Sequence, residues 1–425
     1  MNVLKEVLKN EVFPALGCTE PIAVAYAASL AAAELKGPLT AVRIVVDPGV
    51  FKNGYAVTVP NTGGEKGNLI AGVLGALIAQ PALKMEILKP ADKAHLQQAK
   101  ALIASGKATI SCDRTCKGLF VEAEVQTREG SARAEIRGSH THLVRLEKNG
   151  TVLFADDTAP SGGDPGYKKV LKEMKISDFF GLARGIDPED ARYVREGIDM
   201  NLAISEAGRG LKKVGYYVSD LCKKGYIEDD IFSSAKILTA SAADARMAGV
   251  SLPVMSSGGS GNQGVVAILV PYHVGRHFRV EEEKIVESIA LSHLVSSYIK
   301  CFTGELSPLC GCAIASGVGA AVAIVYQQCG DDTDKITLAV NNVISDLGGM
   351  LCDGAKGGCA LKVASSTDSA IRAAYMAING HGITYQEGFV GRTAEESIWH
   401  LSRISKLGME KADDTMLTIM LEKTP

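Results

Sequence analysis

Three cysteines in the second half of the chain, Cys310, Cys352 and Cys359, are by type and spacing the residues best suited to carry chemistry. The last two lie in GMLCDGAKGGCALK, where a Cys-x6-Cys spacing within a glycine-rich loop lets two thiolates reach one centre. Free backbone amides and Lys356 would favour their negative charge. The chain has no CxxC pair and no HExxH motif, so neither structural nor hydrolytic zinc is indicated. Spacing alone leaves a metal site and a set of reduced structural cysteines both open, because a buried free cysteine packs as a small apolar residue.

A second group lies in SSGGSGNQG, from Ser256 to Gly264. Ser257, Ser260, Asn262 and Gln263 offer hydroxyls and amides among unhindered backbone N–H groups, which suits a substrate carboxylate or ammonium. A glycine-rich helix junction would have the same composition. His140, in the HTH tripeptide after Gly138, is placed either to assist proton transfer or as a structural histidine. PNTGG, Pro60 to Gly64, is either a third wall of a pocket or a turn after a strand. Cys18 stands just before the start of a helix.

These residues need a scaffold, and the chain can supply one. It has 425 residues, 46% hydrophobic and 22% charged, enough for two domains and a large core. A net charge of −3 gives no basic excess for nucleic acid or an acidic membrane surface. The opening MNVLKEVLKNEVF is amphipathic and lacks the apolar core of a signal peptide, which predicts a cytoplasmic protein. The apolar run from Ala313 to Tyr326 is shorter than the roughly 20 residues of a membrane span and predicts a buried core helix. Ten cysteines without an export signal argue for thiol or metal chemistry over a disulfide framework.

Val3, Leu4, Val7, Leu8 and Val12 repeat with helical spacing, closed by Pro14 and Gly17. A second helix is predicted from Glu20 to Lys36, with Thr19 as its cap. From Ala41 to Val59 the pattern is β-branched and alternating, and Gly67 to Ala79 reads as a helix. LFVEAEVQ, SARAEIRG and THLVRLEK read as three strands joined by turns. TAPSGGDPGY, from Thr158 to Tyr167, has the composition of a linker, and almost every segment after it has helical periodicity. The expectation is an α+β protein, with a mixed α/β domain over 1–160 followed by a mainly helical catalytic domain over 170–425.

Taken together, PALGCTEP, SLPVMSSGGSGNQG, LSPLCGCAIASGVGAA and GMLCDGAKGGCALKVASS resemble the bacterial and archaeal L-cysteine desulfidases, of the UPF0597 type. The resemblance runs through nearly the whole chain. The last two motifs are similar, more distantly, to the catalytic domain of iron–sulfur L-serine dehydratases. The resemblance implies a [4Fe–4S] cluster held by Cys310, Cys352 and Cys359, with one iron open for substrate. Cys312, two residues from Cys310, competes with it for that ligand position. It also implies Cys18 as the catalytic proton acceptor, and the partial positive charge of a helix N-terminus is expected to lower its thiol pKa. The implied reaction is a β-elimination of L-cysteine to pyruvate, ammonia and hydrogen sulfide without pyridoxal phosphate. An iron–sulfur L-serine dehydratase and a non-enzymatic redox or iron-sensing protein are the alternatives. The implied partner is a small amino-acid substrate, and a homodimer is left open.

Overall fold

The computed structural model describes residues 2–116, 118–156, 165–304 and 306–423. The linker read at Thr158 to Tyr167 falls mostly outside these residues. The described strands are β1 (Pro14–Leu16), β2 (Leu39–Val46), β3 (Ala108–Cys112), β4 (Phe120–Thr127), β5 (Gly130–Arg137), β6 (Leu143–Lys148), β7 (Thr151–Ala155) and β8 (Pro253–Met255). The fold is α+β.

Strands β2 to β7 form one sheet in the order β3-β2-β4-β5-β6-β7, antiparallel throughout except for the parallel pair β2 and β3. Alternation along β4 and β5 puts Val121, Ala123, Val125, Ala132, Ala134 and Ile136 on one buried face. The helices Thr19–Ala33 and Asn68–Ile78 share that core. Thr19–Ala33 is apolar nearly all round, with only Leu30 and Ala33 outside its buried set, as a helix enclosed on every side must be. It meets its neighbour closely at Gly75, where a Cβ would come 2.0 Å from the Ala25 carbonyl oxygen.

A larger core is built from helices, among them Ile231–Met247, Gly261–His277, Glu282–Thr303, Ala315–Cys329 and Cys359–Ile378. Every residue from Ala315 to Tyr326 is buried, so the apolar run read from the sequence is an internal helix. Among the described residues no helix is long and apolar enough to cross a membrane. The N-terminal helix Val3–Glu11 buries Val3, Leu4, Val7 and Leu8 in this larger core and not against the sheet. From there β1 pairs antiparallel with β8, Pro14 opposite Met255, and Ser256 Oγ donates to the Glu11 carbonyl and accepts from the Phe13 amide. The turn that carries Cys18 is thereby pinned beside the Ser256–Gly264 loop.

Several local expectations are corrected. The β pattern from Ala41 to Val59 stops at Val46, because Asp47 accepts from the Gly49 and Val50 amides and caps a helix, Pro48–Gly54, with proline in its first turn. YAVTV keeps only a single bridge, Thr58 to Lys66. Cys18, not Thr19, is the N-cap of the second helix, and it makes no side-chain capping bond. One strand, β8, interrupts the helical second half because β1 returns to pair with it.

Candidate active site

The cysteine wall is set by a short antiparallel contact between two loops. Leu309 bridges Leu351, the Cys310 amide donates to the Met350 carbonyl at 2.9 Å, and the Cys352 amide donates to the Pro308 carbonyl at 2.7 Å. Cys310 and Cys352 are thus diagonal neighbours on one face of the pair. Cys359 opens the helix Cys359–Ile378, and its thiol donates to the Gly354 carbonyl at 3.7 Å. Cys312 follows Cys310, with its sulfur 3.8 Å from Ser260 Oγ. The four thiols are near enough to alter one another's ionisation.

Donation to Cys312 and burial push the Cys310 thiol up, while the same hydrogen bond, with help from Arg246 and Ser260, pulls Cys312 down. Burial pushes Cys352 up and Cys359 up to about 11. Lys52 opposes this at Cys352; it is itself buried, donating to the Cys352 carbonyl at 2.8 Å and pairing with Asp413 at 2.6 Å. Lys356, expected to favour the thiolates, pairs with Asp353 and acts on Cys359 as a minor influence.

Among the described residues no three His, Cys, Asp or Glu side chains are gathered tightly enough to enclose a single metal ion. An iron–sulfur cluster makes a different demand, one soft thiolate at each of several irons, and the donor set of clustered thiols without imidazole or carboxylate among them fits that demand. Three of the four thiols are held protonated, so metal binding there would release protons.

Glu20, Asn53 and His140 line the same pocket as Cys310, Cys312 and Cys352. The Cys18 thiol donates to Glu20 Oε2 at 2.8 Å, and Asn53 Nδ2 donates to Glu20 Oε1 at 3.0 Å. His140 Nε2 lies 3.9 Å from that carboxylate, too far for a direct hydrogen bond, and has no other partner. Burial works against the Glu20 charge, but His140, Cys18 and Asn53 outweigh it and hold the carboxyl well below the usual range. Asn53 also accepts from the Cys352 thiol at 3.9 Å, joining the two walls.

The expected low pKa at Cys18 is not found. The residue does cap a helix, yet burial and the Glu20 charge push its thiol well above the ordinary value, against the weaker pull of Arg246 and the Glu20 backbone amide. The reason is distance and burial: a helix-end partial charge is weaker than a full carboxylate charge in hydrogen-bond contact. Cys18 packs in a small cluster with Val57 and Met247, against which Cys359 also rests.

From the Ser256–Gly264 loop, Ser260 and Gln263 reach the pocket wall; Ser257 and Asn262 do not line it. Ser257 is fully buried, its hydroxyl 2.9 Å from His293 Nδ1 on the helix Glu282–Thr303. Of PNTGG, Thr62 donates to the Val59 carbonyl and Asn61 to the Leu88 carbonyl, so it acts as a turn away from the pocket. Sequence reasoning missed Glu20, Asn53, Lys52, Arg246 and His293. Arg246 was detectable: an arginine inside the small-residue run TASAADARMAG implies a buried charge with a purpose.

The serine dehydratase alpha chain family matches residues 81–418, which include all four clustered cysteines. The chain belongs to the serine dehydratase alpha chain family. UPF0597 proteins also match over the full chain: one of Geobacter sulfurreducens is 61% identical over 100% of this chain and 99% of its own. One of Elusimicrobium minutum is 53% identical over 100% of both, and one of Clostridium tetani is 39% identical over 99% of this chain and 98% of its own. No solved structure matches. The serine dehydratase alpha chain is an iron–sulfur-linked lyase family, and the match begins after Cys18, Glu20 and Asn53, which lie in a segment that the UPF0597 relatives cover and the family model does not.

Proposed function

We propose that this chain catalyses the β-elimination of L-cysteine to pyruvate, ammonia and hydrogen sulfide without pyridoxal phosphate. Cys310, Cys352 and Cys359 would hold a [4Fe–4S] cluster, and Cys18 would be the proton acceptor. The observation that carries the reading is the shared pocket, lined by Glu20, which accepts from the Cys18 thiol, and by the clustered thiols Cys310, Cys312 and Cys352. A protein built for electron transfer alone needs no such pair.

When bound, such a cluster supplies a Lewis acid beside the substrate. The chain's own residues supply the proton chemistry. Cys18 rests as a thiol donating to Glu20, 2.8 Å away, so its proton must first move toward that carboxylate, an uphill transfer that substrate binding has to drive. The thiolate then takes the α-proton, the Cα–H electron pair becomes the Cα=Cβ bond, and the Cβ–S bond breaks with its pair on sulfur. Sulfide leaves, and 2-aminoacrylate tautomerises and takes up water to give pyruvate and ammonia. His140, beside Glu20, steadies the carboxylate through which the proton travels. A cluster held by Cys310, Cys352 and Cys359 would be a soft, sulfur-rich acceptor that suits a thiolate better than a hydroxide, which supports L-cysteine over L-serine as the substrate.

The test is anaerobic turnover by the reconstituted protein with no added pyridoxal phosphate. Sulfide and pyruvate should form in equal amounts from L-cysteine, and hydroxylamine should not inhibit. A higher kcat/KM for L-serine would replace this reading with an L-serine dehydratase.

A further inference from the structure

Arg246 lies at the end of the helix Ile231–Met247, 3% exposed, and its Nε and Nη2 have no hydrogen-bond partner. Other buried cations are compensated: Lys52 pairs with Asp413, and Lys168 lies 3.6 Å from Glu11. A guanidinium taken out of water without a partner is among the least favourable burials a protein can make. Glu20 already accepts from Cys18, Thr19 and Asn53, and Asp244, two residues back on the same helix, accepts from the Gly215 amide through Oδ2 while its Oδ1 makes no hydrogen bond to the guanidinium.

The position of the guanidinium points to a ligand. It occupies the space a side chain at Gly261 would need, with Nε 2.4 Å from where a Cβ would stand. Gly261 follows Ser260, which lines the pocket and touches Cys312. The next residue, Met247, packs against Cys18, so the helix end that carries Arg246 adjoins the proposed base. On the adjoining helix Gly261–His277, Gln263 Oε1 is a buried acceptor without a donor, and its amide is wedged where side chains at Gly258 and Gly311 would be. An orphaned fork of donors against Gly261 and an orphaned acceptor two residues further on, at Gln263, match the two charged groups of a free α-amino acid.

We propose that Arg246 is the carboxylate anchor of this site, its Nε and Nη2 donating to the α-carboxylate of an amino acid whose ammonium faces Glu20 and Gln263 Oε1. The inference rests on the reading of the site as an amino-acid lyase and adds the residue that selects the substrate class.

The experiment uses the reconstituted holoprotein, with Arg246→Met and Arg246→Lys, and two probes: L-alanine, which has both charged groups and no leaving group, and cysteamine, which lacks the carboxylate. In Arg246→Met the KM for L-cysteine and the Kd for L-alanine should rise roughly 10- to 100-fold, the loss of hydrogen bonds to a charged group. Inhibition by cysteamine should change less than about threefold, since the carboxylate that Arg246 binds is absent from it. Arg246→Lys, which keeps the charge and loses the fork, should fall between. Iron and sulfide content should be unchanged, and the Tm of ligand-free Arg246→Met should not fall, because the variant removes a buried unpaired charge. Equal weakening of L-alanine and cysteamine, unchanged L-alanine binding, or a lowered Tm with loss of iron would each overturn the inference. Wild-type protein that binds L-alanine in an Arg246-dependent way but turns over neither L-cysteine nor L-serine would sink the lyase reading and leave the anchor standing.

Discussion

The Cys18 thiol donates to the Glu20 carboxylate at 2.8 Å, inside a site where Glu20 is held ionised and Cys18 is held protonated. The two residues divide one proton unequally. Glu20→Gln removes the carboxylate charge that helps hold Cys18 as a thiol, so Cys18 should titrate at a lower pH in that variant. The ultraviolet thiolate signal of metal-free protein, taken as a difference against Cys18→Ala, reads this directly. Turnover by Glu20→Gln and by Cys18→Ala should nonetheless fall by on the order of 10², the usual cost of removing a proton-transfer group. An unmoved Cys18 titration would remove Glu20 from the proton path.

The low Glu20 pKa has a consequence for stability. Its carboxyl titrates below the ordinary 4.5 in the folded protein, so the stabilisation is fully present above that pH and is lost as pH falls toward the folded value. Wild-type protein should therefore lose stability faster than Glu20→Gln between about pH 4.5 and 3. Urea unfolding across that window measures it, and parallel curves for the two proteins would show that the folded site does not favour the carboxylate.

Cysteine substitutions test the metal assignment. Cys352→Ala and Cys359→Ala should abolish cluster assembly on anaerobic reconstitution, where wild type should approach about four irons per chain. Cys310→Ala should do the same and Cys312→Ala should retain the cluster. The opposite result at the CGC turn would move the ligand to Cys312, whose sulfur already meets Ser260. Cys18→Ala should keep full iron content; loss of iron there would make Cys18 a ligand.

Gly264→Ala tests how the loop is held. A Cβ at this position would come 1.9 Å from the Met255 carbonyl oxygen, a backbone atom in β8. Alanine's better helix propensity, about 1 kcal/mol, is outweighed by the displacement it forces, so net destabilisation of about 1–3 kcal/mol is expected. KM should rise as well, because β8 leads into the loop that carries Ser260. A stabilised variant would mean that the Met255–Gly264 contact relaxes freely.

The sequence by itself determined the composition of the site's cysteine wall and the class of fold around it. Hydrophobic alternation marked β4, β5 and β6, and an unbroken apolar run marked the buried helix read from Ala313 to Tyr326, because each of these patterns reports burial of one face or of all faces. The two glycine-rich cysteine motifs were legible through their resemblance to a known family, since spacing alone left a metal site and reduced structural cysteines both open. Where local signals competed the pattern misled, as at Asp47-Pro48, whose capping geometry ended a β-branched run.

Only the tertiary structure decided the rest. That Val3–Glu11 joins the helical core, and that β1 reaches across to β8, depends on pairing over some 240 residues, which no local spacing encodes. The state of Cys18 was decided the same way: the helix N-terminus was legible, but the burial that raises its pKa comes from Val57 and Met247, brought to it from two distant segments. Asn53 sits in an unremarkable FKNG stretch at the end of the helix Pro48–Gly54, yet folding sets it between Glu20 and Cys352. Charge in a protein interior is governed by what lies within a few ångströms, and that neighbourhood is assembled by the fold.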